Sequence, residues 1–478
     1  MSNLYFSTLF FMASIILMKL SGLFSKILIA KYLSPSDYGL VTFLTISLPG
    51  MFTYLTNFCL HDMLSHAGRG KNYFSFALIY STILTVVIVS SIAAFYQQFF
   101  DFLNLPTNNW KFLLTIFFIS LFSTSIANNI TGFFRGQKMY NTTSIIASLP
   151  PIIKFALILI VLNLWDLNVE IALVLFSFST FIAVLFILLR YYNLISPYFF
   201  EIKIPPRDMI YFGSTVLVLG LFSNLTLILS RVVVAHNLGM EFQGYLDTSL
   251  TIMAILSISF SAMRFISIPE VTSLSELNKE SLNHTGLIDV VKFLFSLLIF
   301  ITIILAFYSR DLVQLLYSEK YIKASKYLYL LSIGYIFIFI QQFIAYVNIS
   351  LEINKTKSLI IFTIILILVS PILAHIFILL FGFPGVYYSL TTLFIIYTMI
   401  TILTTKNSLP ILLIIKNIHK LLFCSFVIVL IVYYFPHNVV TVIISFLLFE
   451  ILIFVVGYLD KMLLIRFFER YIIKDMSR

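Results

Sequence analysis

Charged residues are scarce in this chain, where Asp, Glu, Lys and Arg together make up 10% of 478 residues. An ordinary soluble domain contains about 25% of them. Hydrophobic residues instead make up 60% of the chain. This composition excludes a mainly soluble enzyme or a nucleic-acid-binding domain, and it predicts a polytopic membrane protein of the all-α class.

Cysteines and short catalytic motifs are also nearly missing. The two cysteines, Cys59 and Cys424, lie far apart in the sequence, so neither a disulfide framework nor a metal site is indicated. The chain has no GxxxxGK[ST] phosphate loop, no HExxH, no CxxC pair and no Asp-x-Asp pair. These absences disfavour an ATP-driven pump and a metal-dependent enzyme. We therefore expect a protein without catalytic residues, metal or cofactor.

Long apolar runs are what the sequence has instead, in blocks of about 20 residues, which is the length a helix needs to cross a bilayer. The first block lacks a basic leader and a small-residue cleavage site, so we expect a retained span. We predict fourteen spans, near residues 6–30, 39–60, 74–96, 111–134, 143–164, 169–189, 210–236, 243–263, 290–309, 326–349, 358–380, 383–404, 417–435 and 438–458.

Basic residues in the loops predict the orientation, because cytoplasmic loops accumulate Lys and Arg. Most of the 30 Lys and Arg residues fall on one side of the predicted topology. This places both termini in the cytoplasm. The net charge of +10 then reflects topology and contact with anionic membrane lipids, not a nucleic-acid partner.

Two segments 205 residues apart are similar to each other: SKILIAKYLSPSDYG at Ser25–Gly39 and SRVVVAHNLGMEFQG at Ser230–Gly244. Their ungapped alignment pairs Lys26 with Arg231 and Gly39 with Gly244. The period contains six predicted spans, an even number, so both copies enter the membrane in the same direction. Internal repeats of this kind are typical of transporters.

The repeat predicts two six-helix lobes in a parallel pseudo-repeat, plus two extra helices. The predicted parts are an N-terminal lobe at residues 1–190, a cytoplasmic connector at 191–209, a C-terminal lobe at 210–404, spans 13 and 14 at 405–458, and a basic amphipathic tail at 459–478. The tail either lies on the inner leaflet as an amphipathic helix or extends span 14. The loops are too short for a folded external catalytic domain.

Lys19, Lys26, Lys154 and Arg231 are the basic residues that we assign to spans. A charge at a helix centre costs about 2.5–3.5 kcal/mol on insertion scales, so each side chain should face protein or water. Lys19 and Lys26 are two turns apart, which puts them on one face of span 1. The four residues are therefore candidates for binding an anionic substrate group, such as phosphate, pyrophosphate or an acidic sugar.

A second interpretation of Lys26 and Arg231 stays open, since both lie toward the external ends of their spans and could reach the interface. For Lys31 and His236, at the ends themselves, we favour that interpretation.

Acidic residues within spans are fewer. Glu450 lies well inside span 14, and Asp247 lies near the start of span 8. Both are candidates for coupling transport to H⁺ or Na⁺. Because Glu450 is in a peripheral helix, a local hydrogen-bonded role is favoured for it. With more bases than acids, the predicted cavity would attract anions.

The segment KLSGLFSKILIAKYLSPSDYGL at Lys19–Leu40 resembles the first-helix signature of the polysaccharide transporters in the multidrug/oligosaccharidyl-lipid/polysaccharide (MOP) exporter superfamily. The resemblance covers nearly the whole chain in order. Four later segments agree with it: GFFRGQKMYNTTSII from Gly132, FISIPEVTSL from Phe265, YIKASKYLYLLSIGY from Tyr321 and GFPGVYYSLTTL from Gly382.

This resemblance implies a flippase in the bacterial cytoplasmic (inner) membrane. Its substrate would be an undecaprenyl-pyrophosphate-linked oligosaccharide repeat unit of the O-antigen or capsule type. Two lobes would move it from the inner to the outer leaflet by alternating access through a cationic central cavity. Partners would include membrane lipids, H⁺ or Na⁺ as a coupling ion, and the glycan polymerase or glycosyltransferases of the same pathway.

Two alternatives remain at this point. A multidrug exporter of the same fold would need cavity carboxylates to receive cationic compounds. A membrane glycan polymerase or ligase would need a large external loop, for which the short Arg310–Ser325 segment is the only candidate.

Overall fold

A computed structural model of the protein describes residues 2–65, 70–137, 139–199, 202–256, 287–351, 357–404, 417–435 and 438–459. Within these ranges every regular element is a helix. Eight helical segments among them are long and apolar enough to cross a membrane, and three shorter apolar helices accompany them. The predicted all-α, polytopic fold is confirmed.

The first ten α-helices belong to the part of the chain that contains predicted spans 1 to 6. They are α1 (Ser2–Tyr32), α2 (Pro35–Thr42), α3 (Leu48–Thr56), α4 (Leu60–Leu64), α5 (Phe74–Ala94), α6 (Tyr96–Phe102), α7 (Trp110–Gly136), α8 (Tyr140–Leu164), α9 (Val169–Arg190) and α10 (Tyr192–Ile195).

Eight further α-helices follow the connector. They are α11 (Arg207–Leu238), α12 (Met240–Met253), α13 (Leu287–Leu316), α14 (Leu328–Leu351), α15 (Lys357–Phe381), α16 (Pro384–Thr404), α17 (Ile418–Tyr434) and α18 (Val439–Val455). A helix lies in each of the fourteen predicted spans, and most ends agree to within about one helical turn.

One difference concerns α13, which continues to Leu316 although the prediction ended at residue 309. Hydropathy falls at Arg310 and Asp311, but neither residue interrupts a helix, and no Gly or Pro occurs before the segment reaches Ser318. At Ser318 the backbone takes a positive φ of 104°. The membrane span thus ends before the helix does.

The second predicted span is also not one regular helix. A π-helical turn at Phe43–Ser47 separates α2 from α3. Pro49 lies in the first turn of α3 and has no backbone N–H, so it cannot continue the regular hydrogen-bond pattern. Single π turns inside helices are frequent at functional sites.

Several predicted features lie wholly or partly outside the described residues. They include the end of the eighth span after residue 256, the FISIPEVTSL segment from Phe265, the loop at 265–289, residues 405–416 before span 13 and the tail at 459–478. The predicted division into lobes at residues 190 and 404 stays a prediction.

By internal contacts the chain forms two compact units. The first comprises Met1–Ile252, Leu316–Lys323 and Ile367–Val386, and the second comprises Met253–Leu315, Ala324–Leu366 and Tyr387–Arg478. Of the candidate site residues, Glu450 belongs to the second unit and the other five to the first.

In the first unit α1 packs along α8, α8 packs on α9, and α3 and α4 pack on α11. Part of the predicted connector is tied down here, because Ile195 is fully buried in an apolar cluster with Phe133 and Phe134. The Tyr191 ring packs edge-on against Phe134, with 5.2 Å between ring centroids. In the second unit α17 pairs with α18.

Candidate functional site

The two repeat-related glycines meet where α2 crosses α12. A methyl group on Gly39 would overlap the Met240 carbonyl oxygen, and one on Gly244 would overlap the Pro35 carbonyl oxygen. Met240 and Pro35 are themselves equivalent in the repeat, each four residues before its glycine. The crossing is therefore reciprocal, and only glycine fits at either position.

Next to this crossing, Asp247 of α12 binds two cations and a hydroxyl. Lys26 Nζ lies 3.0 Å from Asp247 Oδ2, and Arg231 Nη2 lies 2.6 Å from Oδ1. The Tyr38 hydroxyl donates to Oδ2 at 2.9 Å. Lys26 also donates to Thr251 Oγ1 at 3.1 Å. We call these five residues the Asp247 cluster.

The Asp247 cluster is buried and carries an uncompensated positive charge. Asp247 has no exposed side-chain surface, and the side chains of Lys26 and Arg231 are 16% and 11% exposed. Two cations and one carboxylate give a net charge of +1. Because both basic side chains turn toward a buried carboxylate, they do not reach for the interface in this structure.

Further hydrogen bonds are made at the C-terminal ends of α1 and α11. Asn104 Nδ2 donates to the Ala235 and His236 carbonyl oxygens at 2.9 and 2.7 Å, which caps the last turn of α11. The Nδ1–H of His236 donates to the Phe102 carbonyl at 2.6 Å. Directly after α1, the Leu33 carbonyl accepts a hydrogen bond from the Tyr321 hydroxyl at 3.4 Å.

Lys154 has different surroundings from Lys26. Its Nζ lies 4.1 Å from the centroid of the Phe176 ring of α9. No carboxylate of the described ranges lies within ion-pair distance of it. Pro150 and Pro151 precede it by one turn and remove two backbone donors from α8.

Lys19 and Lys154 both interact electrostatically with Lys26. Lys19 is half-buried on α1, two turns before Lys26. The structure thus brings the four predicted basic residues into one unit, where it pairs two of them with the predicted acid Asp247.

Glu450 belongs to α18 of the second unit. Its Oε1 is buried and has no hydrogen-bond partner among the described residues. Packing of the adjacent Phe449 against Phe300 of α13, with 5.4 Å between ring centroids, fixes this face of α18.

One buried basic residue was missed by the sequence analysis. Lys292 lies inside the predicted ninth span, is 8% exposed and is 5.7 Å from the Tyr458 ring centroid. The signal that identified the other four, a basic residue within a predicted span, applied to it equally.

Solved structures share this architecture. One titled "Lipid II flippase MurJ, inward closed conformation" aligns over 98% of this chain and 99% of its own, with a TM-score of 0.70 and 17% identity. An inward-facing multidrug resistance MATE family transporter of the MOP superfamily aligns over 84% and 96%, with a TM-score of 0.62 and 17% identity.

The chain therefore has the fold of these MurJ and MATE structures. This agrees with the all-α fold of about fourteen transmembrane helices that the apolar runs predict. The MATE transporter VcmN of Vibrio cholerae is more distant, with 11% identity, a TM-score of 0.57 and coverage of 85% of this chain and 97% of its own. No family model matches the sequence, and no curated protein matches it.

Proposed function

We propose that the protein is a flippase that moves a lipid-linked oligosaccharide with an anionic diphosphate linker across the membrane by alternating access. The observation that carries the proposal is the division of the basic residues within spans. Lys26 and Arg231 share one carboxylate, whereas Lys154 contacts an aromatic ring and no carboxylate of the described residues.

This division gives the two kinds of cation two roles. Lys154, with Lys19 on the adjacent helix α1, provides positive charge that an anionic headgroup can bind. Lysine binds phosphate as a compact point charge with three donors. Shelter from lipid makes these charges tolerable, and bound anion would offset what remains of their desolvation.

Lys26 and Arg231 hold a gate in this proposal. The glycine crossing, the Asp247 cluster and the helix-end caps all lie at the end of α1, α2, α11 and α12 that the sequence predicts to be external. Opening at that end breaks the contacts to Asp247 and releases two cations. A headgroup that binds the released cations stabilises the open state, since a ligand shifts a conformational equilibrium by its differential affinity.

Coverage supports a flippase over a multidrug exporter. The MurJ structure aligns over 98% of this chain, against 84% for the inward-facing MATE transporter. A cationic drug would also need a carboxylate free to receive it, and Asp247 is already bound to two cations and the Tyr38 hydroxyl. The site therefore favours an anionic substrate.

A polymerase or ligase would require a large external loop, and the structure gives little support for one. Most of the Arg310–Ser325 segment is helical, as the end of α13 and a 3₁₀ helix at Glu319–Ala324. The coupling ion stays a prediction, with Glu450 and Asp247 as its candidates.

Reconstitution tests the proposal directly. Purified protein in vesicles of neutral phospholipid is supplied with a fluorescent undecaprenyl-pyrophosphate oligosaccharide, and outward movement is measured by quenching. We expect Lys154→Ala and Lys19→Ala to slow translocation at least tenfold, and Lys320→Ala, at an exposed position of the 3₁₀ helix, to leave it unchanged.

The outcome also separates the alternatives. Transport of a cationic dye without movement of the diphosphate lipid would identify an exporter and overturn the proposal. So would equal rates for all lysine variants, or equal rates for the same oligosaccharide on a neutral lipid linker.

A further inference from the structure

The contact between Lys154 and Phe176 is unusually close. A cation within about 6 Å of a ring centroid is attracted by the negative face of the ring. At 4.1 Å it is the shortest cation–ring contact in the described ranges, where the others lie between 5.3 and 6.0 Å. Phe176 is 2% exposed, so its ring is held by the surrounding packing.

An aromatic partner differs from a carboxylate in what it does to the charge. Asp247 neutralises a cation that it binds, and it occupies the ammonium donors of Lys26. A ring attracts the ammonium through its quadrupole and carries no net charge. The ring therefore defines the position of Lys154 without adding a negative charge beside it.

The surroundings of Lys154 make this partner important. Lys26 repels it electrostatically, so a flexible Lys154 side chain would turn away from α1. The ring on α9 holds the ammonium in place against that repulsion. No hydrogen bond from Lys154 to a described residue competes with a ligand for its donors.

We propose that Phe176 is a positioning residue that holds the Lys154 amino group over its ring, with free donors, for one oxygen of the diphosphate group. This inference rests on the proposed function, because it assumes that Lys154 binds the anion. It adds Phe176, an uncharged residue, to a site that the basic residues had defined.

The test measures binding of undecaprenyl pyrophosphate to the full chain in nanodiscs of neutral lipid. Phe176→Leu and Phe176→Met remove the ring and keep an apolar side chain, so we expect affinity to fall by about 3- to 30-fold. Phe176→Tyr keeps the ring face and should bind within about twofold of the parent. Phe178→Leu, on the same helix at a 37% exposed position, is the matched control.

Phe176→Glu distinguishes positioning from packing. The new carboxylate would pair with Lys154 and cancel its charge, so we expect binding as weak as that of Lys154→Ala. Thermal midpoints of all variants are measured alongside. A packing role alone would make Phe176→Leu and Phe176→Met lose stability and leave the affinity of the folded fraction at the parent value.

The variants distinguish a failure of this inference from a failure of the proposed function. If Lys154→Ala loses binding and Phe176→Leu, Phe176→Met and Phe176→Glu all keep it, the positioning role is wrong and the anion site stands. If Lys154→Ala binds as tightly as the parent, the anion site itself fails. If Phe176→Tyr binds as weakly as Phe176→Leu, the ring face is not the operative feature, and the inference is overturned.

Discussion

The two copies of the repeat keep the same backbone contact and differ in their charges. Gly39 and Gly244 pack reciprocally against the carbonyls of Met240 and Pro35. The acid, however, is present once: Asp247 corresponds to Thr42, whose hydroxyl donates to the Tyr38 carbonyl at 3.1 Å. Both repeat-related cations consequently depend on one carboxylate.

The residues beside the acid differ in the same way. Tyr38 donates to Asp247, whereas its counterpart Gln243 is fully buried with both amide atoms lacking a partner among the described residues. Both copies thus keep the requirement for close packing, which depends on backbone shape. The charged residues differ, and a single carboxylate binds both cations, since it has enough lone pairs for several donors.

The largest expected effect breaks the shared feature. Gly39→Ala and Gly244→Ala each place a methyl group onto a carbonyl oxygen, so we expect both to abolish recovery of monodisperse protein in detergent, measured by size-exclusion chromatography. Gly22→Ala is the control, because nothing lies within 4 Å of its added methyl group. Sensitivity at only one of the two glycines would contradict the reciprocal contact.

The next largest effect is expected from removing Asp247, which has no acidic counterpart in the first copy. Asp247→Ala leaves two buried cations without their carboxylate, and breaking a buried pair in this way costs about 3–5 kcal/mol. We expect a large fall in the thermal unfolding midpoint of the purified protein. Asp247→Glu, which keeps the charge, should fall much less.

Moving the acid sharpens the comparison further. In the Asp247→Thr variant carrying Thr42→Asp, the carboxylate occupies the equivalent position of the other copy. We expect the double substitution to recover part of the midpoint lost in Asp247→Thr alone, because the predicted pseudo-repeat would put both cations within reach of a carboxylate at position 42. A double variant less stable than Asp247→Thr would argue that only one copy can accommodate the acid.

Removing one cation should have an intermediate effect. Lys26→Met and Arg231→Met each leave Asp247 one cationic partner, so we expect each to lower stability by about 1–3 kcal/mol, the range for a hydrogen bond to a charged group. Combined with Asp247→Ala, either change should be far from additive. Additive midpoint shifts would mean that the three residues do not act as one cluster.

The smallest effect concerns a surface pair beside the second copy. Lys323 Nζ lies 3.3 Å from Glu241 Oε1, with both side chains largely exposed, so Lys323→Ala should change stability by about 0–1 kcal/mol. Hydrogen bonds from Tyr245 and Lys323 lower the pKa of Glu241, which precedes the predicted eighth span.

That pKa direction gives a pH dependence with a defined sign. The contribution of Glu241 is present above its unfolded-state pKa and is lost as the pH falls through the lowered folded-state value. Thermal midpoints of the parent and Lys323→Ala should differ slightly at neutral pH and converge in acid. A difference that grows in acid would contradict the pairing.

The sequence was sufficient for the membrane architecture because span length and apolar composition follow directly from bilayer thickness. It was not sufficient for the interruption at Phe43–Ser47, since a proline in a span can kink, cap or widen a helix according to its packing. The extension of α13 to Leu316 was missed because hydropathy reports burial in lipid and not helix propensity.

The site was only partly predictable for a similar reason. A cation in a span signals that it needs shelter, which identified Lys26, Arg231 and Lys154. The partner depends on tertiary structure: Lys26 and Asp247 are 221 residues apart, and nothing in their local sequence links them. Phe176 is one of 51 phenylalanines, and its contact with Lys154 has no sequence signature.

The two native thiols have a practical consequence. Cys59 and Cys424 are both unpaired and buried, and buried thiols react slowly with soluble reagents. A cysteine introduced at residue 154, which is partly exposed, would therefore be labelled with little background from the native thiols, without first replacing them. Membrane-impermeant maleimides applied from either face could then report which compartment reaches that position during turnover.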